Sequence, residues 1–381
     1  MNMTVEYIPA IYTTNLDQML ARGAKPGQGG HLEGNAGEVK RAQARLNCYS
    51  ALATEIANTF GMDRADSLLR GAVRRLGCYR GNEIRREVES RGLPLDVQHL
   101  LDYWDTPREY SDLETVRQSH TREPHYAEAE IPNCPHHDQM NRLCPQRLAL
   151  LMCEEDHRAV AKEFNPAIEV WYPALLTRGQ AKCVFRFSMP REAAQKADHQ
   201  AQHLCEAAKQ AGQPLVGERQ PTKADSATAY RALARINIIF YHYLVDELLR
   251  TVGQEQTEDI LRRAMRKWGA WRGRMMREDH QKRGWPLNIQ SLITYSDDPS
   301  AGDAWMAENV ILTPCEHTKD VTASAYTTMF DKLGTGRFAL PMFEEALPAQ
   351  AETYNPAIRV TIPKLMERGD SISRFCYEMA A

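Results

Sequence analysis

The sequence has no apolar run approaching about 18 residues, so no membrane-spanning helix is expected. It has no basic excess either. With 47 Lys and Arg against 50 Asp and Glu, the net charge is −3, and no block of like charge occurs. That balance argues against nucleic acid as a partner and against a charged interaction tail. The opening MNMTVEYIPAIYTT lacks the charged-then-apolar order of a secretory signal. Nine cysteines lack the spacing of a disulfide framework, which fits reduced thiols and a cytoplasmic location. A small molecule is the expected partner, and self-association is left open.

What is present is a dense stretch from Cys134 to Phe187. It holds Cys134, Cys144, Cys153 and Cys183 together with His136, His137 and His157. Part of it recurs. Met152–Gly179 aligns without a gap on Met342–Gly369, offset by 190 residues, with 14 of 28 positions identical. Such a match at half the chain length indicates internal duplication.

The rest of the chain supports two copies. Residues 1–40, with the Gly-rich Ala24–Glu38, read as an arm. Leu46, Tyr49, Leu52, Ile56 and Phe60 recur at helical spacing up to Gly61; Ile238, Tyr241, Leu244, Leu248 and Val252 do so up to Gly253. LLRGAVRRLGCYRG (68–81) matches ILRRAMRKWGAWRG (260–273), and RGLPLDVQHLLDYWD (91–105) matches RGWPLNIQSLITYSD (283–297). Each half thus opens with about three helices. Tyr126–Cys134 and Ala307–Cys315 read as equivalent strands, each delivering a cysteine at its end. A helix is expected from Pro145 to about Phe164, stopped by Pro166. Two strands around a Gly turn close the half, with Cys183, Phe185 and Phe187 on one face, as Ser373, Phe375 and Tyr377 are in the second copy. Met189–Asp225 reads as a solvated helix followed by a linker. The organisation expected is an arm (1–40), a first repeat (41–188), a linker (189–227) and a second repeat (228–381). The fold class is α+β, with two homologous halves forming a pseudo-dimer. Each half has a helical N-terminal part followed by a small antiparallel sheet with a packed central helix.

Chemistry concentrates in the first repeat. Cys153 and His157 stand four apart and share a helix face, with Asp156 beside them. A thiol near an imidazole is the minimum equipment for nucleophilic attack. Glu154, Glu155 and Asp156 should oppose thiolate formation unless they are turned away or paired with a base. Cys144 precedes the same helix, where the dipole favours a thiolate. Cys134 is followed by His136. Any one of these thiols alone reads as a buried inert group; their clustering favours function. In the second copy Phe343, Ala346 and Leu347 replace Cys153, Asp156 and His157, whereas Cys315, Glu316 and His317 repeat the spacing Cys134, Pro135, His136. Arg178 and Arg368 precede the turn glycines and read as solvated, with carboxylate binding as the other reading. Cysteine and histidine ligands would suit zinc, but Cys134, His136, His137, Cys144, Cys153 and His157 contain no CxxC or HxxxH pair, so no metal or other cofactor is assigned.

The pattern Cys134-Pro135, Cys144-Pro145, Cys153 with Asp156, Phe164-Asn165-Pro166, then Gly179, Cys183 and Phe185 resembles the L-2-amino-thiazoline-4-carboxylic acid hydrolase family. The resemblance covers residues 41–188 and again 228–381. The Gly-to-Cys-to-aromatic ending is also similar to small-molecule-sensing domains of the 4-vinyl reductase type, which are α+β. The family resemblance implies hydrolytic opening of a small nitrogen-containing ring at an amidine-like carbon. Carried over by position, its motif residues are Cys134, Cys144, Cys153, Asp156 and Cys183. In the second half only Cys315 is expected to keep a motif cysteine.

The sequence therefore predicts a hydrolase that opens a cyclic amidine, urea or lactam-like bond. Cys153 or Cys134 would be the nucleophile, His157 or His136 the proton carrier, and Asp156 the group orienting the imidazole or activating water. Cys144, Cys183, Phe185, Glu155, Cys315 and His317 are the expected substrate-binding residues. Non-catalytic ligand sensing and zinc-dependent hydrolysis are the alternatives.

Overall fold

The structure is a computed structural model describing residues 35–104, 118–131, 143–212, 226–296, 305–324, 327, 330, 333–334 and 336–379. Cys134, His136, His137 and residues 1–34 lie outside the described residues. Residues 65–236 form one compact unit, and residues 237–381 together with the first helix form the other.

That first helix, α1 (Asn35–Phe60), begins before Arg41 and ends where Gly61 takes a φ of 80°. It packs with second-repeat elements. Glu55 pairs with Arg263 and Lys267, and the Tyr49 ring lies 5.4 Å from Phe240.

The 65–236 unit contains most of α2 (Met62–Ser90), then α3 (Val97–Asp102), whose Asp96 cap accepts from the His99 N–H at 2.8 Å. Strands β1 (Gln118–Glu123) and β2 (Tyr126–Ile131) follow, then the central helix α4 (Gln146–Phe164), β3 (Glu169–Ala174) and β4 (Cys183–Ser188). The sheet is antiparallel in the order β1-β2-β4-β3. Its inner face and α4 bury Val160, Phe164, Val170, Tyr172, Phe185 and Phe187 in one core. Helix α5 (Arg191–Gln210) is half solvated; Ala194, Ala197 and Ala201 make its buried stripe.

The second unit repeats this order. Residues 237–252 of α6 (Ser226–Val252) are followed by α7 (Gln254–Lys282), α8 (Ile289–Thr294), β5 (Trp305–Leu312) and β6 (Glu316–Ser324). Then come α9 (Gly336–Glu344), α10 (Ala346–Tyr354), β7 (Ile358–Lys364) and β8 (Ser373–Met379), with sheet order β5-β6-β8-β7. The fold is α+β with two similar halves.

Two devices recur. Gly77 and Gly81 let α2 approach α4 closely; a Cβ on Gly77 would sit 2.5 Å from that of Ala159, and one on Gly81 would collide with the Val160 carbonyl. Gly269 and Gly273 do the same against Ala346 and Gln350. The Asn-Pro stop is held by Asn165, which donates to the Leu95 carbonyl at 2.7 Å and accepts from the Ala167 N–H at 2.9 Å. Asn355 repeats both contacts, at 2.7 and 2.9 Å, with Leu287 and Ala357. The central helix differs between copies: it is continuous in the first and broken at Glu345 in the second. Pro348 has no N–H to give the carbonyl four residues back, and Pro341 sits within α9.

The pairing corrects one expected equivalence. Cys315 is not the counterpart of Cys134. The Met379 N–H donates to the Cys315 carbonyl and the Met189 N–H to the His125 carbonyl, both at 2.9 Å, so Cys315 matches His125 in the hairpin turn. The strand equivalent to β2 is β6, which follows Cys315; the strand ending at Leu312 matches β1. At the constant offset of 190, Cys134 falls opposite Ser324.

Candidate active site

The centre of the 65–236 unit is α4 where it faces α2 and the sheet. The acidic run Glu154-Glu155-Asp156 next to Cys153 should oppose a thiolate, yet each carboxylate has its own arginine. Glu154 takes Arg178 at 2.7 Å, Glu155 takes Arg70 at 2.7 Å and Arg74 at 2.6 Å, and Asp156 takes Arg80. The condition under which the acidic run would not penalise the thiol is therefore met.

Two of these three arrangements are scaffold, because the second copy reproduces them. Glu344 pairs with Arg262 at 3.0 Å and with Arg368 at 2.9 Å, while Glu345 pairs with Arg262 at 3.1 Å and with Arg266 at 2.6 Å. Arg178 and Arg368, both exposed, each bridge a turn to the central helix through a carboxylate. Glu155, expected to bind substrate, is bound to α2.

The third arrangement is peculiar to the first copy. Arg80 and Asp156 are both buried, and Ala346 occupies the position of Asp156 in the second copy, where Arg272 is equally buried. Only Oδ2 of Asp156 is engaged by Arg80; Oδ1 is buried with no hydrogen-bond partner. A buried acceptor left unmade costs about 1–3 kcal/mol, so it asks for a reason.

His157 follows Asp156, but the two do not hydrogen-bond. Its Nδ1–H donates to the Cys153 carbonyl at 2.6 Å, so the imidazole is oriented by its own helix. The ring is stacked on Trp104 at 5.4 Å and tilted against Phe185 at 5.2 Å. The Arg80 guanidinium lies 5.4 Å from the Trp104 ring centre. Trp104 thus joins the ion pair to the imidazole.

Cys153 is half-buried, one turn before His157, and the Thr177 hydroxyl lies 4.0 Å from its Sγ. Tyr172 donates its hydroxyl to the Glu154 carbonyl at 2.9 Å. Burial pushes that phenol far up; the Arg158 guanidinium opposes the effect, and Asp156, Cys153 and Glu154 add to it.

The other cysteines lie apart. Cys144 is buried just before α4, and Cys153 lies about 10 Å along that helix from its first residue at helical rise. Cys183 Sγ accepts the Leu176 N–H at 3.3 Å, and Ser373 Oγ does the same for Met366 at 3.0 Å, so this position holds a turn in both copies. Burial raises the Cys183 pKa. Cys315 is exposed, and His317 is fully buried within the second unit's sheet. Among the described residues no three metal-capable side chains converge.

Residues 41–187 and, again, residues 233–377 match the family described as L-2-amino-thiazoline-4-carboxylic acid hydrolase. The chain belongs to this family. Its two matched regions are the two copies of the unit described above. No curated protein and no solved structure matches the chain. No helix of the described residues is long and apolar enough to cross a membrane.

Within this hydrolase-family unit, sequence reasoning missed Arg80, Trp104 and Tyr172. Arg80 is retained as Arg272 and so looks like scaffold. Trp104 and Tyr172 become Ser296 and Ile362. Extending the copy-to-copy comparison beyond the central helix would have singled out both.

Proposed function

We propose that the first repeat opens a small ring at an amidine-type carbon by adding water, with Cys153, Asp156 and His157 as the reacting set. The observation that supports it is the buried Oδ1 of Asp156, without a hydrogen-bond partner, on the helix that carries Cys153 and His157, whose imidazole packs on Trp104 and Phe185. A carboxylate oxygen of this kind accepts the N–H of an amidine, and flat rings suit the stack. The second copy, with Phe343, Ala346 and Leu347, has none of the three.

In the proposed sequence His157 takes the Cys153 proton, and Sγ attacks the ring carbon while the C=N pair moves to nitrogen. As the carbon–sulfur or carbon–nitrogen ring bond breaks, the imidazolium protonates the departing atom. Water then attacks the thio-bound carbon and releases Cys153. Cys134 and His136, outside the described residues, stand as the alternative nucleophile and proton carrier. No cofactor enters this scheme.

The test is ring opening of L-2-amino-thiazoline-4-carboxylic acid and of related cyclic amidines, ureas and lactams, read as gain of one water by mass. Full turnover retained by both Cys153→Ala and Cys134→Ala would refute a cysteine nucleophile. Tight binding of intact ligand without turnover in the wild type would instead support a sensing protein.

A further inference from the structure

The turn that follows β3 is held alike in both copies except at its centre. The Leu175 N–H donates to Gln180 Oε1 at 2.7 Å, as that of Leu365 does to Asp370 at 2.8 Å. Arg178 donates to the Tyr172 carbonyl at 3.0 Å, and Arg368 to the Ile362 carbonyl at 2.9 Å. The central residue departs from this pattern: it is Thr177 in the first copy and Glu367 in the second.

The change at the turn goes with two changes on the central helix. Thr177 is 2% exposed, and its hydroxyl lies 4.0 Å from Cys153 Sγ. Its carbonyl accepts from Gln146 Nε2, at the start of α4, at 2.6 Å. Gln146, Thr177 and Cys153 thus form one chain of contacts, and the second copy has none of the three. At the same offset of 190, Gly336 stands for Gln146 and Phe343 for Cys153, while Glu367 turns its Oε1 to the Thr327 hydroxyl at 2.5 Å.

The ionisable groups around Cys153 are engaged with one another. Glu154, Glu155 and Asp156 on its own helix are held by Arg178, by Arg70 and Arg74, and by Arg80. His157 donates its Nδ1–H to the Cys153 carbonyl. Tyr172 on β3 donates its hydroxyl to the Glu154 carbonyl, and Arg158 lies over its ring. None of these contacts ends on Sγ; that of Thr177 does.

We propose that Thr177 is a positioning residue for the Cys153 thiolate. Its buried hydroxyl donates to Sγ and holds the charged sulfur in place, while Gln146 fixes the turn that carries it. The inference rests on the reading of Cys153 as nucleophile. A hydrogen bond to a charged acceptor is shorter and stronger than one to a neutral acceptor, so the contact tightens as the thiol loses its proton. Thr177 keeps its own proton throughout; that of the thiol leaves for His157.

The test is the pH dependence of iodoacetamide alkylation in the full chain, with Cys153 and Cys183 read separately by peptide mass. It needs no substrate, so its outcome is separate from turnover of Cys153→Ala, which tests the nucleophile itself. Thr177→Val keeps the shape and removes the donor. The Cys153 midpoint is then expected to rise by about one pH unit, with alkylation at pH 7 slowed about tenfold. Thr177→Ser, which keeps the donor, is expected to stay within about threefold of wild type. Cys183, whose Sγ accepts the Leu176 N–H in the same turn, should react alike in wild type and both variants. An unchanged Cys153 midpoint in Thr177→Val would overturn the assignment. So would Thr177→Ser shifted as far as Thr177→Val, or Cys183 altered along with Cys153, the sign of a disturbed turn.

Discussion

Arg80 binds one oxygen of Asp156 in a fully enclosed setting and leaves the other without a hydrogen bond. Asp156→Asn is predicted to lower kcat/KM for ring opening by about 100-fold or more, the scale of losing one oriented electrostatic contact. Asp156→Ala should also destabilise the fold by denaturant titration, by about 3 kcal/mol, because Arg80 loses the carboxylate that faces its buried charge. Unchanged turnover in Asp156→Asn would remove this carboxylate from the reaction.

Cys183 belongs to the motif that resembles the family, yet its contact with Leu176 is reproduced by Ser373 with Met366. Cys183→Ser is predicted to change stability by under about 1 kcal/mol and to leave turnover within about threefold, since a hydroxyl accepts the same N–H. Cys183→Val, with no acceptor, should destabilise by about 1–3 kcal/mol. A large loss of activity in a stable Cys183→Ser protein would make the thiol functional instead.

Helix packing through glycine makes a second stability prediction. Gly81→Ala places a methyl against the Val160 carbonyl, and backbone cannot swing aside as a side chain can. A loss of about 1–3 kcal/mol is expected by chemical denaturation, with Gly273→Ala behaving alike in the second copy. Gly61→Ala, where a Cβ meets nothing within 4 Å, tests the other cost of losing glycine, the positive φ of 80° alone.

The buried imidazole of His317 gives a pH dependence with a definite sign. Its folded pKa is lowered from 6.5, so below that value the unfolded chain binds the proton first. The contribution is intact above about pH 6.5 and is lost as pH falls toward the lowered folded value. His317→Ala should flatten stability against pH in this window; an unchanged slope would mean that the imidazole already titrates normally in the fold.

The duplication was legible because fold-bearing positions kept their residues: Asn165 and Asn355 stop the central helix, and Gly179 and Gly369 take positive φ after it. The polar strands were not legible. Gln118–Glu123 and Glu316–Ser324 carry charged and hydroxyl side chains with little apolar alternation. Without their ladder, the sequence aligned Ala307–Cys315 with β2 and put Cys315 in the place of Cys134. At the site, the Cys153, Asp156 and His157 grouping was readable from helical spacing. The partners Arg80 and Trp104 come from distant segments, and only packing brings them there.

The first copy alone is proposed to hold the reactive set. The most direct test of this is turnover, by Cys153→Phe/Asp156→Ala/His157→Leu, of whichever ring substrate the wild type is found to open; this variant writes the second copy's residues into the first. The variant should keep native far-ultraviolet circular dichroism and lose about 1,000-fold or more in kcat/KM. A folded variant that retains turnover within about tenfold of wild type would contradict the assignment and move the chemistry elsewhere in the chain.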